Sequence, residues 1–270
     1  MEISGWGRYP KIDAAVVLPQ TATECSAFLS KASELIPRGL GRSYGDSSLA
    51  PQVLETNGMQ YFQEFDPETG VLACEAGVSL YEILNVFVPQ GWFLPVSPGT
   101  RFVTVGGAIA SDVHGKNHHI DGTFCEHVIS FDIALGNGEI VTASPMQNSD
   151  LFHATSGGMG LTGVIVSARI RLKPISSSEI LETTIKAPNL DAALDGFEKY
   201  IGSTYSVAWI DCLKSGEGFG RSILMLGEHA KVEDLPESLQ KSPLKLPKKK
   251  LLTLPFYLPS FLLNKLTVSI

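Results

Sequence analysis

Paired cysteines, an excess of basic charge, a secretory leader and an apolar run of membrane-spanning length are all missing from this 270-residue chain. The four cysteines, Cys25, Cys74, Cys125 and Cys212, lie far apart without any C-x-x-C spacing. That is the pattern of buried thiols rather than of a disulfide framework or a zinc site, and it points to a reducing, cytoplasmic compartment. The formal net charge is −7, so no basic face invites nucleic acid. The same acidity means that any phosphate-bearing ligand must be held largely by backbone N–H groups. The first residues, Met1 to Pro10, contain no basic stretch followed by an apolar one, which argues against a secretory signal. The most apolar stretch, Leu251 to Leu263, is interrupted by Pro255 and Pro259 and is too short to span a bilayer. Peripheral membrane contact stays open, because Lys248, Lys249 and Lys250 adjoin it; the plainer reading is a basic mobile loop.

What is present is globular. Hydrophobic residues make up 44% and charged residues 18%, enough for a substantial core and for more than one domain. Ala14–Leu18 reads as a strand, after which Thr21 or Thr23 caps a helix running to about Ser33. Tyr61–Phe65 and Val71–Glu75 flank the turn Asp66-Pro-Glu-Thr-Gly70 and read as a hairpin. Ser79 and Glu82 have capping-box spacing and open a helix that stops before Pro89. Val128–Leu135 and Val164–Leu172 are strand-like, and Asp150–Thr155 is a short helix. Lys173-Pro174 closes this first unit, and Ser176–Ser178 reads as a linker. A helix over Leu190–Tyr200 and a strand over Tyr205–Leu213 follow, then a mobile region near 230–265. The expected organisation is an α+β chain with one domain over 1–174 and part of a second over 175–270. The chain stops at Ile270 without a closing element, which predicts that it is incomplete.

Two loops carry the chemistry. Arg38-Gly-Leu-Gly-Arg-Ser-Tyr-Gly-Asp46 has three glycines in a short span, so its backbone can adopt positive φ and aim successive N–H groups into one concavity. On this loop alone, a phosphate nest and a tight inter-strand turn are both open. The second, Pro98 to Gly115, is long, rich in small residues, and followed at once by His114-Gly-Lys-Asn-His-His119. Gly106 to Ala110 could be a small-residue packing helix, but that does not account for the histidine-rich continuation. Together the loops point to an extended flat ligand with a phosphate middle. Gly158-Met-Gly-Leu-Thr-Gly163 matches G-x-G-x-x-G, yet a helix-like segment precedes it and a strand follows. A dinucleotide fingerprint needs the reverse order, so the Rossmann reading is rejected.

These motifs, in this order, resemble the vanillyl-alcohol-oxidase (PCMH) type of FAD-binding domain, and within it enzymes that oxidise a polyprenyl-phosphate-linked pentose. The similarity runs on through Tyr205–Asp211 and Leu251–Pro255. It implies a two-subdomain FAD-binding domain followed by part of an α+β substrate, or cap, domain. It implies that Arg38, Gly39, Leu40, Gly41, Arg42, Ser43, Tyr44, Gly45, Asp46 and Ser47 wrap the FAD pyrophosphate. Gly99, then Thr104, Val105, Gly106, Gly107, and Ser111, Asp112, Val113, His114 would line the rest of the cofactor, with Val166 near the adenine. Many relatives attach the flavin covalently through a histidine just after the second glycine; Arg42 stands there, so dissociable FAD is expected.

The implied reaction is oxidation of a secondary alcohol to a keto sugar, half of a ribose-to-arabinose epimerisation completed by a nicotinamide-dependent reductase. Such a step needs a hydride sink, a proton acceptor and charge stabilisation. His114 and Lys116 are the candidates for the last two. Tyr44, Lys116 and Trp209 are the candidate substrate contacts, although Trp209 most simply packs in a core. A metal set of His114, His118, His119 and His127 is not expected, since no cysteine or carboxylate completes it at ligand spacing. The resemblance places a further lysine and several pocket residues beyond Ile270. The rival readings are an oxygen-using oxidase of alditols or aldonolactones, and a flavin-binding scaffold without turnover.

Overall fold

The computed structural model describes residues 1–32, 34–246, 259–262, 264 and 267. They belong to two compact units, Met1–Ile175 with four sheets and Ser176–Ile270 with one, and both contain helices, so the chain is α+β throughout.

In the first unit, Ala15–Val17 and Ile36–Arg38 both pair parallel to Gln52–Glu55. The crossover is the helix Ala22–Leu29. Thr21 is its cap, Oγ1 accepting from the Glu24 N–H at 3.1 Å. The helix ends at Leu29 instead of running towards Ser33, which lies outside the described residues. Beyond Leu29 the Lys31 and Ala32 N–H groups bond three and four residues back in closing turns. Cys25 and Leu29 pack on Leu54, Met59, Ala134, Val164 and Val166, which ties this layer to a larger sheet.

That sheet is antiparallel, in the order Ile140–Ala143, Val128–Ala134, Val164–Arg171, Val71–Glu75, Phe62–Asp66. Its other face buries Leu72, Cys74, Phe131 and Ile170 against the helices Leu80–Phe87 and Val105–Ala110. The first of these has the expected capping box: Ser79 Oγ accepts from the Glu82 N–H at 3.2 Å while Glu82 accepts from the Ser79 N–H at 2.8 Å. It ends at Phe87, ahead of Pro89, which has no N–H to continue the ladder. Ile109, fully buried between helix and sheet, is the kind of residue whose truncation to alanine costs about 2–5 kcal/mol. The hairpin turn is held by Asp66, which accepts from the Glu68 N–H at 2.8 Å and from Thr69 Oγ1 at 2.6 Å. Those bonds keep its carboxyl below the usual carboxylate range.

The second unit is a three-stranded antiparallel sheet with Ser222–His229 between Ile180–Ala187 and Tyr205–Ile210. The helix Leu190–Lys199, capped by Asn189 Oδ1 on the Ala192 N–H at 2.9 Å, covers one face over Leu224. Trp209 is not core. Ala208 pairs with buried Leu224, so the two-residue period turns Trp209 to the opposite face beside Ile223, 75% exposed. Ser176–Ser178 is not a free linker either: the fully buried Ser177 donates to Ala230 O at 2.6 Å, and Ser178 to Pro243 O and Lys245 O. Residues 230–246, expected as part of a mobile loop, contain the short helix Glu237–Gln240 and the buried Leu235. Lys248–Lys250 and most of Leu251–Leu263 lie outside the described residues. Among the described residues no helix is long and apolar enough to cross a membrane.

Candidate cofactor site

The cleft is built where three loops converge in the first unit. The first leaves the strand Ile36–Arg38. Gly41 and Gly45 take φ of +63° and +58°, the left-handed backbone that lets so short a segment curl. Arg38 closes the curl. Its guanidinium donates to Ser4 O at 2.7 Å and Ser48 Oγ at 3.1 Å, and pairs with Glu55 at 3.5 Å. Burial pulls this guanidinium below its ordinary range, Glu55 opposes that, and the nearby Arg42 adds to it.

The second wall runs from Pro98 to His114. Thr104 caps the helix Val105–Ala110, accepting from the Gly107 N–H at 3.1 Å, and its side chain fills the space where Gly39 would carry a Cβ, so the first two loops touch. Gly106 donates to Ala76 O at 2.9 Å and backs the helix onto the sheet. The third wall is the G-x-G-x-x-G segment. It follows the helix Ser149–Thr155 and precedes the strand Val164–Arg171, the order that excludes a Rossmann turn. Met159 N–H donates to Ala110 O at 2.8 Å, and Gly160 packs on Pro37, which fixes this loop to the other two.

The cleft measures about 640 Å³, inside the range of roughly 300–1,000 Å³ typical of small-molecule and cofactor sites. Seven of its 28 lining residues are glycine, two are arginine, and none is aspartate or glutamate. In a chain with 28 acidic and 21 basic residues, a carboxylate-free lining marks a place for a polyanion. Gly99 sharpens the point. Its φ is not left-handed, and a Cβ built there meets no protein atom within 4 Å. Protein packing does not require glycine at that wall position, so the space beside it is open to a ligand.

Of the sequence candidates, Arg38, Gly39, Leu40, Gly41, Arg42, Ser43, Tyr44, Ser47, Gly99, Thr104, Gly106, Gly107, Ser111, Val113 and His114 line this one cavity. Gly45 and Asp46 lie in the same loop but do not line it. Val105 is fully buried in the core. Asp112, at φ +38°, accepts from the Cys125 N–H at 3.0 Å. Val166 points into the apolar cluster with Cys25 and Leu54; its neighbour Ile165 faces the cavity, because successive strand residues alternate sides. Lys116 is exposed and does not line the cavity, and Trp209 is in the second unit. The sequence reading missed Trp6, Thr56, Met159, Gly160 and Gly163. The last three had a signal, a glycine-dense loop that counted towards the resemblance but to which no cofactor contact was assigned.

His114 is held by a β-bridge to Thr123, and its exposed ring lies 5.9 Å from that of His118. Three residues on, buried Asn117 pins the loop by donating to Pro95 O at 2.7 Å and to Asp121 at 2.5 Å. Lys173 also pairs with that Asp121 carboxylate, at 3.4 Å.

Fold and cleft together define a flavin-binding domain. Residues 14–144 match the family described as FAD binding domain, so this part of the chain belongs to the PCMH-type family, with FAD as its cofactor. Among particular proteins, it is 39% identical to the decaprenylphosphoryl-beta-D-ribose oxidase of Mycolicibacterium smegmatis over 98% of this chain and 60% of that protein. It is 30% identical to the D-lactate dehydrogenase of Archaeoglobus fulgidus over 67% of this chain and 43% of the other. An uncharacterized protein from the mprA 5′ region of Streptomyces coelicolor is 36% identical over 62% of this chain and 45% of its own length. The chain thus spans less than two thirds of each of these relatives.

Proposed function

We propose that Met1–Ile175 binds FAD without a covalent link, that Ser176–Ile270 belongs to the substrate side, and that together they serve the oxidation of a secondary alcohol on a lipid-linked pentose to the keto sugar. The observation that carries the reading is the carboxylate-free cavity walled by three glycine-dense loops. Gly39, Gly41, Gly99 and Gly107 would let the cofactor lie against the backbone, with Arg42 beside its phosphates. Dissociable binding follows from the first loop, which offers an arginine and no imidazole between Arg38 and Ser48. The lipid-linked ribose named for the 39%-identical relative supplies the substrate class.

Bound FAD supplies the sink for the hydride. The chain's part is to position the alcohol and manage its proton. His114, the only histidine lining the cavity among the described residues, takes the hydroxyl proton. Tyr44, 79% exposed and lining the cavity, contacts the sugar. A nicotinamide-dependent reductase would complete an epimerisation.

Visible spectra before and after acid precipitation test the binding: yellow colour moving wholly to the supernatant is expected, and colour in the pellet would overturn the non-covalent reading. Anaerobic bleaching by a ribose-type substrate, abolished by His114→Gln with the colour retained, is expected for the reaction. Bleaching by free alditols alone would replace the lipid-linked pentose with the alditol-oxidase reading.

A further inference from the structure

The first loop has a cost that its own sequence does not meet. With glycine at 39, 41 and 45, Arg38–Ser48 loses unusual conformational freedom when it orders around a ligand, and no covalent flavin bond is available to offset it. A segment distant in sequence lies across it. Ser4 O receives the Arg38 guanidinium at 2.7 Å. The Trp6 N–H donates to Ser43 O at 2.9 Å. Between them Gly5 passes so close that a Cβ would come within 2.7 Å of Ser43 O and 2.8 Å of Gly45 O. Trp6 also lines the cavity, and the Arg42 guanidinium lies 5.3 Å from its ring centroid. The other end of this segment is fastened to the body of the unit: Glu2–Ser4 pairs with Lys11–Asp13, and Ile3 is buried with Ala14, Ile36 and Val53.

We propose that Ser4–Trp6 is a strap belonging to the cofactor site, which holds the glycine loop in its binding shape and sets the orientation of Arg42 by the cation–π contact with Trp6. The proposal rests on the FAD reading above and adds residues to it. The strap pre-pays the ordering of the loop, so its effect falls on retention of the cofactor, on the dissociation rate more than on association. Arg42 then presents its charge along the wall, where an unstacked guanidinium would sample many rotamers.

The test is FAD titration of the chain and of Trp6→Ala and Trp6→Phe, followed by flavin fluorescence, with hydrogen exchange of the N-terminal peptide of the unmodified chain measured with and without FAD. Trp6→Ala should weaken FAD binding about tenfold, as loss of one partly desolvated cation–π contact implies, and Trp6→Phe should recover most of it. The peptide containing Trp6 should exchange more slowly once FAD is bound. Unchanged affinity in Trp6→Ala, or bound FAD with no change in that peptide, overturns the strap. If the unmodified chain takes up no FAD, the flavin reading fails first and is recognised as such before any variant is compared.

Discussion

Gly41 and Gly99 are both glycines of the cavity wall, for different reasons. Gly41 sits at φ +63° with its missing Cβ against the Arg38 side chain, so any substitution there strains the backbone and disturbs the loop's own closure. At Gly99 nothing in the protein objects. Gly99→Val is therefore expected to leave the apo melting temperature within about 2 °C, as for exposed substitutions, while FAD binding falls by at least about tenfold. A parallel loss of stability would show that Gly99 serves packing. The thiols make a second residue-scale prediction. Burial pushes Cys25 up to about 11, and Cys74 and Cys125 up to about 12, while Cys212 is exposed. A native thiol titration at pH 8 should count one fast group, and four after unfolding. The raised folded values mean that the neutral thiols contribute fully below the ordinary thiol range and that the contribution is lost as pH climbs towards 11–12. Stability to denaturant should accordingly fall on the alkaline side, and a replacement of Cys74 by alanine should reduce that slope. Expecting four buried thiols missed Cys212, because a lone cysteine carries no mark of exposure when read in sequence.

Elements whose signal is local were legible. The Ser79–Glu82 box, the Asp66 turn and Pro89 each act within a few residues; the helix Leu80–Phe87 and the strand Val71–Glu75 have those boundaries, and the hairpin's first strand lies one residue further on, at Phe62–Asp66. Ser79→Ala should cost about 0.5–2 kcal/mol in chemical denaturation, the usual worth of an N-cap, and an unchanged midpoint would show that tertiary packing alone holds the helix end. Strands without a local signal were not legible. Gln52–Glu55 is four residues with mixed polarity, yet it is the centre of the parallel sheet because Val53 and Leu54 meet partners from both sides of the chain. Ile36–Arg38 contains a proline, which reads as a strand-breaker, but it is an edge strand, where one N–H can be spared. In the second unit, Ser222–His229 is central to its sheet although its glycine, glutamate and histidine resemble a loop.

On the scale of the whole molecule, the acidic chain keeps its carboxylates away from one cleft, and that cleft is where three loops from positions 38–48, 98–114 and 157–163 are brought together. Occupancy should then be a property of the fold as a whole. Free FAD at about 100 times its dissociation constant is expected to add about 2.7 kcal/mol to unfolding, read as a concentration-dependent rise in melting temperature. A melting temperature indifferent to FAD would deny binding to the folded chain. Glycine spacing pointed to a flat phosphate-bearing ligand, the order of helix, loop and strand excluded a Rossmann turn, and the resemblance carried by those motifs named FAD, because each of these is written in the backbone over short distances. Which residues meet at the cleft was decided only by the tertiary structure. Val166 turns to the core while Ile165 faces the cavity, Trp209 turns to the open face of its sheet, and Ser4–Trp6 lies over a loop more than thirty residues away. For Val166 and Trp209 the physical reason is that side-chain direction in a strand is set by which face the neighbouring element covers; for Ser4–Trp6 it is hydrogen bonding between backbone segments distant in sequence, and no local pattern records either.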